Sequence, residues 1–189
     1  MRLNVPNRLT VARILITPVF LTAFLWKTLP YRFLIACIIF VAGSITDAVD
    51  GHLARKNNEV TNFGKLLDPV ADKILTTAAL IGFMSEGLCS PWVLFVILVR
   101  EFTITSIRSI AAADGVVIPA NYWGKVKTVC QMVFTIIIML LCQFEGFLSF
   151  LPFSVNAISS CLMWICAVLT VVSGAVYIKD SVKVIDFSK

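Results

Sequence analysis

The sequence predicts an all-α integral membrane protein, built as one domain over residues 1–189 with six transmembrane helices. The first reason is composition, because 59% of the residues are hydrophobic and 14% are charged, with a mean hydropathy of +0.92. A soluble domain carries about a quarter charged residues. The second reason is that apolar runs of roughly twenty residues, the length of a helix that crosses a bilayer, recur along the chain between short polar loops.

The predicted spans begin and end at polar or turn-forming residues. A short segment at residues 1–7, with Arg2 and Pro6, is expected to lie along the membrane interface before the first span. Pro69 falls in the first turns of the third span, where its missing N–H costs least. The six predicted spans cover residues 9–26, 33–54, 65–84, 92–112, 125–142 and 156–177. The loops between them lie at residues 27–32, 56–59, 85–91, 114–121 and 148–152.

The distribution of basic residues predicts the orientation in the membrane. Six spans place both termini on one side, and that side collects Arg2, Arg8, Arg55, Lys56, Lys65, Arg108, Lys125, Lys127, Lys179, Lys183 and Lys189. The other side has Lys27 and Arg32. By the positive-inside rule both termini are cytoplasmic, in the cell inner (cytoplasmic) membrane. The net charge of +5 therefore suits topology and anionic membrane lipids, and no basic stripe predicts a nucleic-acid partner.

Four aspartates at the facing ends of the second and third spans form the candidate chemical site. Asp47 and Asp50 are three residues apart and Asp68 and Asp72 are four apart, so each pair shares a helix face. An antiparallel hairpin of the two spans brings the four carboxylates together just below the cytoplasmic headgroups. Clustered negative charges in a low-dielectric setting require a cation. Because carboxylate oxygens favour hard divalent ions, we expect Mg²⁺ or Mn²⁺, with two ions per site.

Polar residues also occur just before the first span and in its first turns. Asn7, Thr10 and Arg13 follow one another at three-residue spacing and lie near one helical face. An arginine within a span is costly unless it is paired or reaches the interface. Two interpretations stay open: Arg13 reaches lipid phosphate, or this face borders the cavity of the site.

The aspartates belong to a longer pattern, Asp-x2-Asp-Gly-x2-Ala-Arg-x8-Gly-x3-Asp-x3-Asp, which resembles the signature of the CDP-alcohol phosphatidyltransferases. Every fixed position is present, at Asp47, Asp50, Gly51, Ala54, Arg55, Gly64, Asp68 and Asp72. The resemblance implies transfer of a phosphatidyl group from CDP-diacylglycerol to an alcohol, with release of CMP. It also implies that the four aspartates bind the metal ions and that Asp72 is the general base.

The same resemblance implies how the CDP-lipid is held. Gly51, Ala54 and Arg55 are expected to border the nucleotide and its pyrophosphate. The expected CDP-lipid-binding residues are Asn7, Thr10, Gly51, Ala54, Arg55 and Gly64. Membrane lipids and a second copy of the chain, in a homodimer, are the other expected partners.

Motifs outside the signature resemble the bacterial members of the family whose acceptor is sn-glycerol 3-phosphate. These motifs are residues 5–10 with Arg13, residues 99–101 with Arg108, and residues 124–128 with Gln131. The basic residues favour the same acceptor. Arg108, Lys125 and Lys127 can gather on the cytoplasmic face, where a basic cluster suits a dianionic phosphate. The expected acceptor phosphate-binding residues are Arg100, Arg108, Lys125 and Lys127.

Two other functions stay open at this point. One is another CDP-alcohol phosphatidyltransferase, with serine, inositol phosphate or phosphatidylglycerol as acceptor. An uncharged acceptor would not need the basic cluster, whose residues would then only set topology. The other is a cation transporter, because intramembrane aspartates also mark ion pathways. Carboxylates at one face, without matching residues at mid-membrane or on the far side, argue against a path through the membrane.

Overall fold

The computed structural model describes residues 5–57, 62–113, 115–116, 118–119, 121–147 and 154–182, and for residues 5–9, 47–57, 62–66, 68–69 and 72 it describes the backbone only. Across these residues the chain forms six helices and no strand, which confirms the all-α prediction. The helices are α1 (Val5–Leu25), α2 (Arg32–Asn57), α3 (Asn62–Ser85), α4 (Pro91–Ala113), α5 (Tyr122–Gln143) and α6 (Val155–Ser181).

All six helices extend beyond the predicted apolar runs, and α1 and α6 extend furthest, by four residues at one end. α1 begins at Val5, so residues 5–7 continue the first helix instead of forming a separate interfacial segment. Pro6 is compatible with this start, because the first turn of a helix has no intrahelical partner for a backbone N–H. α6 continues to Ser181, beyond the predicted end at residue 177. An apolar run marks the part of a helix that suits hydrocarbon, and the helix itself can continue past it.

The helices differ in how clearly they qualify as membrane spans. α5 and α6 are long and apolar enough to cross a membrane, with mean hydropathies of 1.8 and 2.2. Among the described side chains, α1 to α3 contain shorter apolar stretches, at Thr10–Leu25, Arg32–Thr46 and Lys73–Ser85. Large apolar side chains are exposed on the outside of the bundle, including Leu15, Ile38, Phe95 and Val168. Such a surface suits contact with acyl chains.

The six helices pack as a closed ring in the order α1, α2, α5, α6, α4, α3, and α2 also touches α3. Successive helices run in opposite directions. One end of the ring therefore holds the C-terminal ends of α2, α4 and α6 beside the N-terminal ends of α1, α3 and α5. Both halves of the aspartate motif reach this end, because the motif closes α2 and opens α3.

The hydrophobic core has an aromatic centre. Phe20, Phe24, Phe40 and Phe83 are fully buried, and the ring centroids of neighbouring members lie 5.7 to 6.0 Å apart. Gly82 allows α3 to approach α1, since a Cβ at that position would lie 2.9 Å from the Phe24 ring. The close packing of α1, α2 and α3 fixes the helix pair that carries the aspartates.

Polar contacts join the helices at the end of the ring opposite the motif. The Arg32 guanidinium donates two hydrogen bonds to the Glu86 carboxylate, at 3.1 and 2.8 Å, and a third to the Phe24 carbonyl oxygen at 3.2 Å. The hydrogen bonds from Arg32 hold the pKa of Glu86 below its usual range. Gln143 Oε1 accepts a hydrogen bond of 3.1 Å from the Leu34 N–H, which ties α5 to the first turn of α2.

Candidate active site

A polar cavity of about 460 Å³ lies between α3, α4, α5 and α6, at the end of the ring that carries the aspartate motif. Its charged lining residues are Lys73, Arg100, Glu101, Arg108 and Lys125. Four of these five side chains are basic, so the cavity attracts anions. Charged side chains inside an apolar bundle are expensive to bury, and they usually mark a substrate or ion site.

Arg108 is held at the cavity wall by α6. Its Nε donates a hydrogen bond of 3.0 Å to the Tyr177 hydroxyl, and its guanidinium carbon lies 5.3 Å from the centre of the Tyr177 ring. The hydrogen bond and the cation–π contact together orient the guanidinium. Its two terminal nitrogens are the group that suits bidentate binding of a phosphate.

Glu101 joins two basic residues beside the cavity. Its Oε1 accepts hydrogen bonds from Arg100 Nη1 at 3.0 Å and from Lys127 Nζ at 2.5 Å. Lys127 is 2% exposed, and it lines a smaller adjoining cavity of about 40 Å³ rather than the large one. Of the four predicted phosphate-binding residues, Arg100, Arg108 and Lys125 therefore line one cavity, and Lys127 lies behind Glu101.

Gly174 makes room for the Arg100 side chain, and Gly124 lies beside its guanidinium. A Cβ on Gly174 of α6 would lie 3.1 Å from Arg100 Cγ, and a Cβ on Gly124 of α5 would lie 3.4 Å from Arg100 Nη2. The guanidinium thus passes between two helix backbones to reach the cavity. Its Nε is buried and has no hydrogen-bond partner.

Asn121 closes the cavity at the start of α5. Its side chain caps the helix, because Oδ1 accepts a hydrogen bond of 2.8 Å from the Gly124 N–H. Asn121 Nδ2 is buried without a hydrogen-bond partner. The cavity therefore has a second unmatched donor besides Arg100 Nε.

The aspartates lie on two helices that contact each other. Asp47 and Asp50 belong to α2, and Asp68 and Asp72 belong to α3. Their side chains lie outside the described residues, together with those of Asn7, Gly51, Ala54, Arg55 and Gly64. Among the described side chains, no group of three or more histidine, cysteine, aspartate or glutamate residues comes together. The motif is the candidate metal-binding set because its all-carboxylate donors fit a hard divalent cation.

Lys73 connects the motif to the cavity. It directly follows Asp72 in α3, and its side chain lines the same cavity as Arg100 and Arg108. The backbone that carries the last aspartate is therefore adjacent to the anion-attracting space. This arrangement suits a reaction between a phosphate-bearing molecule and a metal-bound one.

Three polar residues of α1, Thr10, Arg13 and Thr17, are buried within the bundle. Thr10 is 2% exposed and Arg13 is 4% exposed. Thr17 Oγ1 donates a hydrogen bond of 2.9 Å to the Arg13 carbonyl oxygen. Arg13 is therefore buried within the bundle, and the interpretation that it reaches lipid phosphate by snorkelling is wrong.

The cavity-lining residues that sequence reasoning missed include Lys73, Asn121 and Tyr177. A signal existed for Asn121, because asparagine before an apolar run that opens with Tyr-Trp-Gly-Lys is a typical helix N-cap. Lys73 and Tyr177 carry no such signal. Their position in the cavity depends on how α3 and α6 turn relative to α4, which apolar periodicity alone does not determine.

Comparison with known proteins identifies the group to which the chain is similar. A model of the CDP-alcohol phosphatidyltransferase family matches residues 3–172. A protein of Bacillus subtilis (strain 168), named CDP-diacylglycerol–glycerol-3-phosphate 3-phosphatidyltransferase, is 40% identical over 185 residues, which cover 92% of this chain and 93% of the relative.

Two further relatives agree with this result. A Rickettsia felis protein of the same name is 37% identical over 176 residues, covering 93% of this chain and 94% of the relative. A Mycobacterium tuberculosis protein, named probable phosphatidylglycerophosphate synthase, is 41% identical over 132 residues, covering 69% of this chain and 63% of the relative.

Proposed function

The chain belongs to the CDP-alcohol phosphatidyltransferase family, and on that premise we propose that it transfers the phosphatidyl group of CDP-diacylglycerol to sn-glycerol 3-phosphate. The products are phosphatidylglycerophosphate and CMP. The protein is thus a transferase of phospholipid synthesis, and it catalyses the first committed step towards phosphatidylglycerol and cardiolipin. The names of its full-length relatives support this acceptor.

The observation that carries the acceptor assignment is the chemistry of the polar cavity. Arg100, Arg108 and Lys125 line it together, and two buried donors at its wall have no partner. Charge-assisted hydrogen bonds from such groups favour a dianionic phosphate. An uncharged or zwitterionic acceptor, such as serine, would leave these charges and donors unmatched.

The family generally uses divalent metal ions, and we propose Mg²⁺ or Mn²⁺ here, with two ions per site. The proposed ligands are the carboxylates of Asp47, Asp50, Asp68 and Asp72. When bound, such ions supply positive charge beside the pyrophosphate of the CDP-lipid. The Arg55 guanidinium is proposed to bind the same pyrophosphate. The other residues proposed to hold the CDP-lipid are Asn7, Thr10, Gly51, Ala54 and Gly64.

The proposed reaction needs one proton transfer. The terminal hydroxyl of glycerol 3-phosphate attacks the phosphorus that carries the diacylglycerol group, a P–O bond forms to glycerol, and the P–O bond to CMP breaks. Asp72 takes the proton from the attacking hydroxyl as general base. The cavity residues hold the distant phosphate, so that the hydroxyl is presented towards α3.

We also propose the arrangement of the protein in the cell. All six helices span the inner membrane, in a single domain with both termini and the active site on the cytoplasmic side. The supporting observations are the ring packing of six apolar helices and the basic residues expected on that side. The functional unit is proposed to be a homodimer.

An acceptor panel tests the proposal. Purified protein is supplied with CDP-diacylglycerol, divalent metal and one alcohol at a time, and CMP release is measured. We expect release with sn-glycerol 3-phosphate and none with serine, inositol phosphate or phosphatidylglycerol. Release with one of the others reassigns the acceptor, and metal uptake into vesicles without CMP release would favour a cation transporter.

A further inference from the structure

The oxygen and the nitrogen of the Asn121 side-chain amide can serve two different functions. It is the N-cap of α5, with an extended backbone at φ −77° and ψ 160°, and its Oδ1 accepts the Gly124 N–H at 2.8 Å. This bond determines which way the amide faces, since only the oxygen can accept a hydrogen bond. Nδ2, with its two N–H groups, is consequently held on the other side of the amide.

The unused half of the amide lies beside the polar cavity. Asn121 lines that cavity with Arg100, Arg108 and Lys125, and its Nδ2 is buried without a hydrogen-bond partner. A buried donor without a partner is costly, and native proteins retain one chiefly where an ion, a water or a ligand completes it. Arg100 Nε, in the wall of the same cavity, is unmatched in the same way.

The chemistry around Asn121 determines what that partner is. The unmatched groups are donors, the charged lining is predominantly basic, and the positive end of the α5 dipole lies at this point. A cation is therefore repelled, and a phosphate oxygen is the acceptor that suits all of these groups.

Building on the proposed function, we propose that Asn121 binds the phosphate of the acceptor by donating a hydrogen bond from Nδ2, while Oδ1 caps α5. Asn121 is then a specificity-determining residue, because it places a rigid neutral donor beside the flexible cations. A phosphate-bearing acceptor satisfies this donor and a phosphate-free alcohol leaves it buried and unmatched.

Three substitutions separate the two functions of the side chain. Asn121→Ser keeps an oxygen that can cap the helix and removes the Nδ2 donor. Asn121→Asp also keeps the cap, but replaces the donor with an anionic oxygen. Asn121→Ala removes both the cap and the donor, and it shows how much thermal stability the cap contributes.

For Asn121→Ser we expect the KM for sn-glycerol 3-phosphate to rise roughly tenfold, the scale of one hydrogen bond to a charged group. The KM for CDP-diacylglycerol and the melting temperature should stay near those of the wild type. Asn121→Asp should raise the acceptor KM further, because its carboxylate repels the phosphate. A wild-type acceptor KM in a folded Asn121→Ser variant would overturn the proposal.

Two further measurements show which substrate's phosphate Asn121 binds, and they test this role independently of the proposed reaction. If the substitutions raise the KM for CDP-diacylglycerol instead, Nδ2 serves the pyrophosphate and the proposal is wrong. Titration of inorganic phosphate and of glycerol 3-phosphate into the purified protein, without CDP-diacylglycerol, measures binding without turnover. Weaker phosphate binding by Asn121→Ser than by the wild type supports the role of Asn121 even if the acceptor panel contradicts the proposed reaction. Equal binding by the two proteins contradicts the role of Asn121 and leaves the proposed reaction unaffected.

Discussion

Lys127 Nζ donates a hydrogen bond of 2.5 Å to Glu101 Oε1, which joins α5 to α4 beside the polar cavity. Arg100 Nη1 reaches the same oxygen at 3.0 Å. Lys127 is 2% exposed, so its charge is compensated inside the protein rather than offered to solvent. The Glu101–Lys127 pair therefore supports the cavity from behind and keeps the Arg100 guanidinium beside it.

The first prediction concerns the stability of this pair. Lys127→Met should lower the free energy of unfolding by about 1–3 kcal/mol, because it leaves the partly buried Glu101 carboxylate with one partner fewer. Lys125→Met is the matched control, since Lys125 is exposed two residues earlier on the same helix. Thermal unfolding in detergent measures both variants. The double variant Glu101→Gln/Lys127→Met should recover most of the loss, and equal melting temperatures for the two lysine variants would contradict the prediction.

The second prediction concerns pH and the opposite end of the ring. The hydrogen bonds from Arg32 lower the pKa of Glu86 in the folded protein. A carboxyl whose pKa is lowered by folding stabilises the protein above its unfolded pKa, about 4.3 for glutamate, and that contribution is lost as pH falls through the lower folded value. Glu86→Gln should therefore cost about 1 kcal/mol at pH 7, and the difference from the wild type should shrink as the pH falls below about 4.

Unfolding curves in detergent at neutral and acid pH measure this difference. Glu145→Gln serves as the control, because Glu145 is an exposed glutamate in the turn after α5 and its replacement should matter little at either pH. A gap between Glu86→Gln and the wild type that stays constant across the pH range would show that Glu86 contributes by packing rather than by its charge.

The helices and the chemical class could be predicted from the sequence, since long apolar runs and the fixed spacing of the aspartates are local signals. Which basic residues line the cavity and which support it from behind could not be predicted from the sequence. Lys125 and Lys127 are two positions apart, and residues at that spacing do not share a helix face. With Lys125 at the cavity, Lys127 is turned inward to Glu101. Which lysine turns inward depends on the helix packed against α5.

Arg100 shows a second limit of sequence reasoning. Its side chain passes α6 because Gly174 leaves space beside Arg100 Cγ. In the sequence Gly174 is an ordinary small residue in an apolar helix. Only the three-dimensional packing of α4 against α6 shows that it admits the Arg100 side chain.

The third prediction separates chemistry from binding at the aspartate motif. Asp72→Asn should lower kcat far more than it raises the KM of either substrate, because the amide cannot accept the proton of the attacking hydroxyl. Steady-state kinetics of CMP release measure both constants. Unchanged turnover in folded protein would remove Asp72 from the role of general base.

The fourth prediction concerns the metal ions. Excess chelator should abolish CMP release, and added Mg²⁺ or Mn²⁺ should restore it, because clustered carboxylates cannot all stay ionised without cations. Asp47→Asn should require more metal for half-maximal activity, since it removes one proposed ligand. Full turnover in the presence of excess chelator would contradict both expectations.

The last prediction separates phosphate recognition from membrane topology. Arg108→Ala should raise the KM for sn-glycerol 3-phosphate roughly ten- to a hundredfold, the loss expected for a charge-assisted bond. The KM for CDP-diacylglycerol should stay the same, because that lipid is assigned to the motif and not to the cavity.

Tyr177→Phe keeps the ring 5.3 Å from the guanidinium and removes the hydroxyl that holds Arg108 Nε at 3.0 Å. It should therefore raise the acceptor KM by less than Arg108→Ala does, since the charge remains and only its orientation is lost.

Lys125→Ala tests the same cavity from α5 and should also weaken acceptor binding alone. Lys127→Ala should raise the acceptor KM only indirectly, through any displacement of Glu101 and Arg100. The reason is that the Lys127 ammonium group faces Glu101 rather than the large cavity. Kinetics with both substrates, on variants whose melting temperatures show that they are folded, distinguish these effects. If Arg108→Ala and Lys125→Ala both keep a normal acceptor KM, the basic residues only orient the protein in the membrane. The choice of glycerol 3-phosphate would then depend on similarity to the relatives alone.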